Sequence, residues 1–180
     1  MAREAALILE TLDRHLKGPA TIRLLGGGAL TLAYGLERST EDVDLLQDDA
    51  EIEAMLETAD FGHALDDTNA ELEPRGLYLT HIWGPEQLIL ADGWRERCRE
   101  VSLANLLRLR VTALGPADLI ISKLVRADDG DVADMAFLLR THAGRDEVER
   151  LLEDVRIPDL FRDVWPQNVA VLRKLLAEVE

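Results

Sequence analysis

The sequence predicts an α+β fold in which a mixed sheet is flanked by helices and a helical extension follows. Three observations predict it. Short β-branched and aliphatic runs fall between helical patterns in the first two thirds of the chain. Everything from Pro116 onward reads as helix, and aromatics make up only 4% of 180 residues. The core must then be built from Leu, Val, Ile and Ala packed between helices and a sheet. The expected division is an α/β core over residues 1–115 and a helical part over 116–180 packed on it, in a chain short enough to form one domain.

The elements follow in order. Residues 3–17 place Ala6, Leu9, Leu12 and Leu16 at helical spacing before Gly18-Pro19 stops the helix. Residues 21–25 form a short strand that runs into Gly26-Gly27-Gly28, and residues 29–36 resume helix formers. The pattern is strand, glycine turn, helix. After a polar connection, Asp42-Val43-Asp44-Leu45-Leu46 alternates acidic and apolar side chains as a half-buried strand does.

Residues 49–58 predict a surface helix with Ile52, Met55 and Leu56 turned inward, and 60–75, rich in Asp, Asn and Gly, predicts a loop. Strands are expected over 76–83 and 87–90, and 101–112 predicts a further strand around a tight turn. Pro116 suits a first helical turn, and helical patterns continue through 131–142, 145–154 and 166–179.

Charge and cysteine content narrow the function classes. Twenty basic against thirty-five acidic residues give a net charge of −15, which opposes attraction to a nucleic-acid backbone or an anionic membrane. Bulk nucleic-acid binding and membrane association are therefore not expected, although Arg95, Arg97, Arg99, Arg108 and Arg110 form one basic stretch. Cys98 is the single cysteine, so one chain can build neither a disulfide nor a cysteine zinc site. With charges interspersed from Arg3 and Glu4 onward in place of an apolar signal stretch, a cytoplasmic location is expected.

Residues 24–46 carry the chemistry. Glycines entering a helix let backbone N–H groups approach phosphate oxygens, and the helix dipole adds to the attraction. Asp42 and Asp44, one residue apart on a strand, project to one face about 5–7 Å apart, where like charges call for a cation between them. Mg²⁺ fits, with Mn²⁺ as the substitute, because it takes hard oxygen ligands and completes its shell with phosphate and water. Rival phosphate motifs are absent: Thr31 stands where a dinucleotide fingerprint needs its third glycine, and there is no P-loop Gly-Lys-Ser/Thr.

Three stretches together resemble the nucleotidyltransferase superfamily that includes DNA polymerase beta: Leu25-Gly26-Gly27-Gly28-Ala29, Tyr34-Gly35, and Arg38-Ser39-Thr40-Glu41-Asp42-Val43-Asp44-Leu45-Leu46. Within it the chain is most similar to small bacterial proteins of the DUF6036 type, relatives of abortive-infection toxins. Asp92-Gly93-Trp94-Arg95-Glu96-Arg97 and the Pro116-Ala117-Asp118-Leu119 to Lys123-Leu124 helix extend the likeness over about residues 5–140. The resemblance implies metal-dependent transfer of a nucleoside monophosphate from a triphosphate to an acceptor hydroxyl on a protein, RNA or small molecule, in a setting related to toxin–antitoxin pairs. It implies Asp42 and Asp44 as metal ligands, Gly26, Gly27 and Gly28 with Arg38 and Thr40 at the triphosphate, and Lys123 stabilising charge as pyrophosphate leaves.

The chain departs from that pattern twice. Where relatives show Arg-Glu-Lys-Asp-x-x-Asp, it reads Asp128-Asp129-Gly130-Asp131-Val132-Ala133-Asp134, keeping the acidic pair and losing the basic residues. A third carboxylate on a later strand has only Glu86 and Glu100 as candidates, since the 77–83 strand offers Thr80 and His81 instead. The alternatives are a catalytically degenerate nucleotide-binding protein and an interaction module whose acidic surface meets a basic partner. His15, His63, His81 and His142 show no ligand spacing, and Trp83, Trp94 and Trp165 are read as packing residues, one of them with stacking on a base as the alternative.

Overall fold

Alternation in three strands gives the central sheet one apolar face and one polar face. In the computed structural model, which describes residues 2–38 and 40–178, the elements run α1 (Ala2–His15), β1 (Ala20–Leu25), α2 (Gly26–Tyr34), β2 (Asp42–Leu46), α3 (Asp49–Ala59), α4 (Phe61–Leu72), β3 (Tyr78–Trp83) and β4 (Leu90–Ala91). They continue with β5 (Arg99–Glu100), β6 (Leu109–Ala113), α5 (Pro116–Ser122), α6 (Asp129–Thr141), α7 (Arg145–Leu151), β7 (Val155–Arg156) and α8 (Trp165–Glu178). The fold is α+β with a mixed sheet, as the sequence predicts. Two compact units result, one holding the chain to residue 84 together with 99–113, the other holding 85–98 and the chain from 114 onward.

The first unit contains a five-stranded sheet ordered β3-β2-β1-β6-β5. β1 pairs antiparallel with β2 and parallel with β6, and β2 pairs parallel with β3. Ile22, Leu24, Val43, Leu45, Leu79 and Val111 are buried on one face. Register places Asp44 opposite Leu25 on one side and His81 on the other, so these three share the opposite face. Past the last β1–β2 pairs, the buried Gln47 amide continues the ladder, accepting from Arg23 N–H at 2.8 Å and donating to the Thr21 carbonyl at 3.2 Å.

Helix α1 is tied to the strand β6 by a side chain. The buried carboxylate of Asp13 accepts from the consecutive backbone N–H groups of Leu107, Arg108 and Leu109, the last two at 2.7 and 2.6 Å. One aspartate thus satisfies three amides that have no strand partner at the mouth of the sheet.

Several expectations need correction. Residues 60–75 are not a loop: 61–72 form α4, because Phe61, Ala64, Thr68 and Leu72 recur on one buried face while Asp66, Asp67 and Glu71 stay in solvent. Asp60, at φ 51°, ends α3 and opens α4, which hid the break between them. Leu56 is 49% exposed, and Ala59 takes the inward position assigned to it. The strand expected over 87–90 shrinks to β4, preceded by a 3₁₀ turn at Pro85–Gln87. Of the 101–112 segment only the end is strand: β6 begins at Leu109 and pairs at the sheet edge with β5, which precedes the segment, across a loop.

In the second unit α5 is buried on every side, which its all-apolar run from Leu119 to Ile121 requires. Its only charged residue, Asp118, is 0% exposed and is held by Arg97 through two bonds of 2.8 and 2.7 Å. The expected 145–154 helix is α7 followed by a 3₁₀ turn over Leu152–Asp154, after which β7 pairs antiparallel with β4.

Candidate functional site

Gly26 to Gly28 do not form a turn ahead of the helix; they are its first turn. Leu25 ends β1 in extended conformation, and Gly26 reverses the chain at φ 58°, a left-handed value that side chains resist. A methyl group added at Gly26 would stand 3.1 Å from Oδ2 of Asp44. One added at Gly27 would stand 3.0 Å from the Thr40 hydroxyl and 3.3 Å from a guanidinium nitrogen of Arg38. The bare backbone at the head of α2 therefore faces Asp44, Thr40 and Arg38 with space that a single carbon would fill.

Six of the residues singled out from the sequence thus meet here. Thr40 donates toward Asp42, its hydroxyl 3.0 Å from the backbone carbonyl and 3.2 Å from Oδ1. Asp42 is exposed and Asp44 half-buried on the same face of β2, with Val43 buried between them on the other. Gly28 sits deeper, its backbone against the Val43 side chain. Burial and the neighbouring Asp42 charge push the Asp44 carboxyl above the usual range, while His81, Trp83 and Thr80 pull it back down.

Strand β3 completes this face through an irregularity. Between Val43↔Leu79 and Asp44↔His81 the register slips by one residue at Thr80. In an unbroken strand Thr80 and Ile82 would flank Asp44; the bulge puts His81 and Trp83 there instead. Nδ1 of His81 lies 3.6 Å from Oδ1 of Asp44, and its ring stacks on Trp83 with centroids 5.5 Å apart and planes at 27°. The sequence offered no sign of the slip, since Tyr78-Leu79-Thr80-His81-Ile82-Trp83 reads as plain alternation.

Glu100 sits on β5, three strands from β2 and so about 14 Å across the sheet, where it pairs with Arg110 at 3.2 Å. Glu86 and Lys123 belong to the second unit. Lys123 is only 9% exposed, its ammonium 3.0 Å from Asp131 and 2.7 Å from Asp134. Arg126 adds two bonds to Asp131, at 2.9 and 3.1 Å. The positive charge missing from residues 128–130 is thus supplied from two residues before Asp128.

Among the described residues no group of three or more His, Cys, Asp or Glu side chains is arranged to hold a metal ion. The Asp42–Asp44 pair offers two carboxylates and no protein cage, a donor set that suits a cation brought in with phosphate oxygens of its own.

The comparisons bear on the same segment. Residues 3–154 match a protein family described as nucleotidyltransferase of unknown function, DUF6036. The chain belongs to that family. The DUF6036 match takes in the glycine-headed helix, both aspartates, the bulged strand and the Lys123 cluster, and ends just before β7. No curated protein and no solved structure matches this DUF6036 chain. None of its described helices is long and apolar enough to cross a membrane.

Proposed function

We propose that this DUF6036 protein is a metal-dependent nucleotidyltransferase that moves a nucleoside monophosphate from a triphosphate to an acceptor hydroxyl. The observation that carries the reading is the close approach of Asp44 to the bare backbone of Gly26, where a methyl group built on the glycine would stand 3.1 Å from Oδ2. That juxtaposition sets carboxylates for a cation beside backbone donors for phosphate, the two requirements of phosphoryl-group transfer. The family description supports the class of reaction.

In this reading the β- and γ-phosphates lie against the N–H groups at the head of α2, with the Arg38 guanidinium beside Gly27 taking part of their charge. Asp42 and Asp44 hold the cation. When bound there, a divalent ion such as Mg²⁺ or Mn²⁺ neutralises charge on the triphosphate and on departing pyrophosphate. Thr40 steadies Asp42 by its hydrogen bond to Oδ1. The acceptor oxygen forms a bond to the α-phosphorus, the bond to the bridging oxygen breaks, and the hydroxyl proton passes to solvent. The acceptor is a protein, an RNA end or a small molecule, in a toxin–antitoxin-related setting.

Incubation with each α-labelled triphosphate and Mg²⁺ tests this. Label should move to the protein itself or to an added acceptor, and should stop moving in Asp42→Asn and Asp44→Asn. Saturable triphosphate binding with no transfer to any acceptor would instead favour a nucleotide-binding protein that has lost catalysis.

A further inference from the structure

The bulge at Thr80 builds something beyond the phosphate site. It turns two consecutive same-face side chains, His81 and Trp83, toward the carboxylate pair and stacks their rings. Trp83 is the inner partner, paired in register with the buried Leu46. His81 is the outer one, with 63% of its side chain exposed. The result is a flat aromatic ledge with one ring supported from behind and open to solvent, one strand away from Asp44.

The order across the sheet gives the ledge its direction. The glycine head of α2 follows β1, the carboxylates stand on β2, and the rings stand on β3. A triphosphate whose tail lies at Gly26 and whose α-phosphate lies at Asp44 continues, through its sugar, toward β3. Adjacent strands are about 4.8 Å apart, roughly the span of a ribose, so the base arrives over His81. Flat heterocycles stack on aromatic side chains whatever their hydrogen-bonding edge.

We infer that His81, backed by Trp83, is the stacking platform for the nucleobase of the incoming triphosphate, an assignment that rests on the nucleotidyltransferase reading above. The platform grips any base by its face and contributes affinity that a triphosphate chain without a base does not receive. The larger purine rings gain more from it than pyrimidines.

Binding of ATP, GTP, CTP, UTP and inorganic tripolyphosphate, each with Mg²⁺, to wild type, His81→Ala and His81→Phe tests the assignment by calorimetry. Wild type should bind purine triphosphates most tightly. His81→Ala should weaken nucleotide binding by about tenfold or more and tripolyphosphate binding far less, and His81→Phe should restore nucleotide affinity to within about threefold. An exposed position on β3 makes both variants compatible with folding, which their melting temperatures check. If His81→Ala weakens tripolyphosphate as much as nucleotide, or weakens neither, the platform is wrong while the phosphate site stands. If wild type binds neither nucleotide nor tripolyphosphate, the underlying reading fails and the platform with it.

Discussion

Lys123 and Asp134 meet at 2.7 Å with both side chains almost wholly enclosed, and Asp131 closes the other side of the same ammonium at 3.0 Å. Two carboxylates to one lysine would leave an excess of negative charge, which Arg126 offsets from the solvent side. Burial alone would raise the Asp131 carboxyl, but Arg126 and Lys123 outweigh it and hold it below its ordinary value.

A depressed carboxylate stabilises the fold above its unfolded pKa, near 4, and loses that contribution as pH falls through the folded value. Urea unfolding measured from pH 7 downward should therefore show stability declining below about pH 4. Asp131→Asn should be less stable at pH 7 and show a flatter decline in that acid window.

Arg97 and Asp118 form a second ion pair in the same unit, with Asp118 fully buried and Arg97 partly exposed. Removing the arginine leaves a carboxylate with no way out to water. Arg97→Ala should lose about 3–5 kcal/mol in denaturant unfolding, and Arg97→Lys should recover only part of it because a lysine cannot make both bonds.

Asp13→Ala should cost about 3 kcal/mol, since three backbone N–H groups at 107–109 lose their acceptor at once. Hydrogen exchange should locate the loss, with the Leu109 amide of β6 exchanging faster while the Val43 and Leu45 amides of β2 keep their protection.

The two-carboxylate donor set makes a prediction about the cation. Mg²⁺ or Mn²⁺ alone should bind weakly, and its affinity should rise steeply when a triphosphate is present, because phosphate oxygens complete the shell. Calorimetric titration of Mn²⁺ with and without a nonhydrolysable triphosphate checks this; tight binding of the bare ion would mean that further protein ligands exist. In metal-free buffer Asp44→Asn should raise the melting temperature, because the fold no longer buries that charge and Asp42 loses its like-charged neighbour.

The residues around the site were largely legible in sequence, and their arrangement only partly. Asp42-Val43-Asp44-Leu45 announces a strand with acids on one face because burial of Val43 and Leu45 dictates the alternation. The glycine run announces a close approach to bare backbone, which Asp44, Thr40 and Arg38 make at 3.0–3.3 Å from where a methyl group would stand at Gly26 and Gly27. The 61–72 helix was masked because its buried residues, Phe61, Ala64, Thr68 and Leu72, are spaced among Asp, Asn and Gly that dominate a local reading. The placement of His81 and Trp83 depends on a one-residue slip between strands, a relation between two segments that neither encodes alone. The Lys123 cluster shows the same limit, since Arg126 compensates for a lost basic run only through the fold of the 3₁₀ turn Lys123–Val125.

A crystal structure of the protein with Mn²⁺ and a nonhydrolysable triphosphate, read by the manganese anomalous signal, tests the central claim most directly. The metal should appear between the Asp42 and Asp44 carboxylates, with the terminal phosphates at the amides of Gly26 and Gly27. Manganese and triphosphate bound together anywhere else, or the two carboxylates turned away from each other around an ordered ligand, would contradict it.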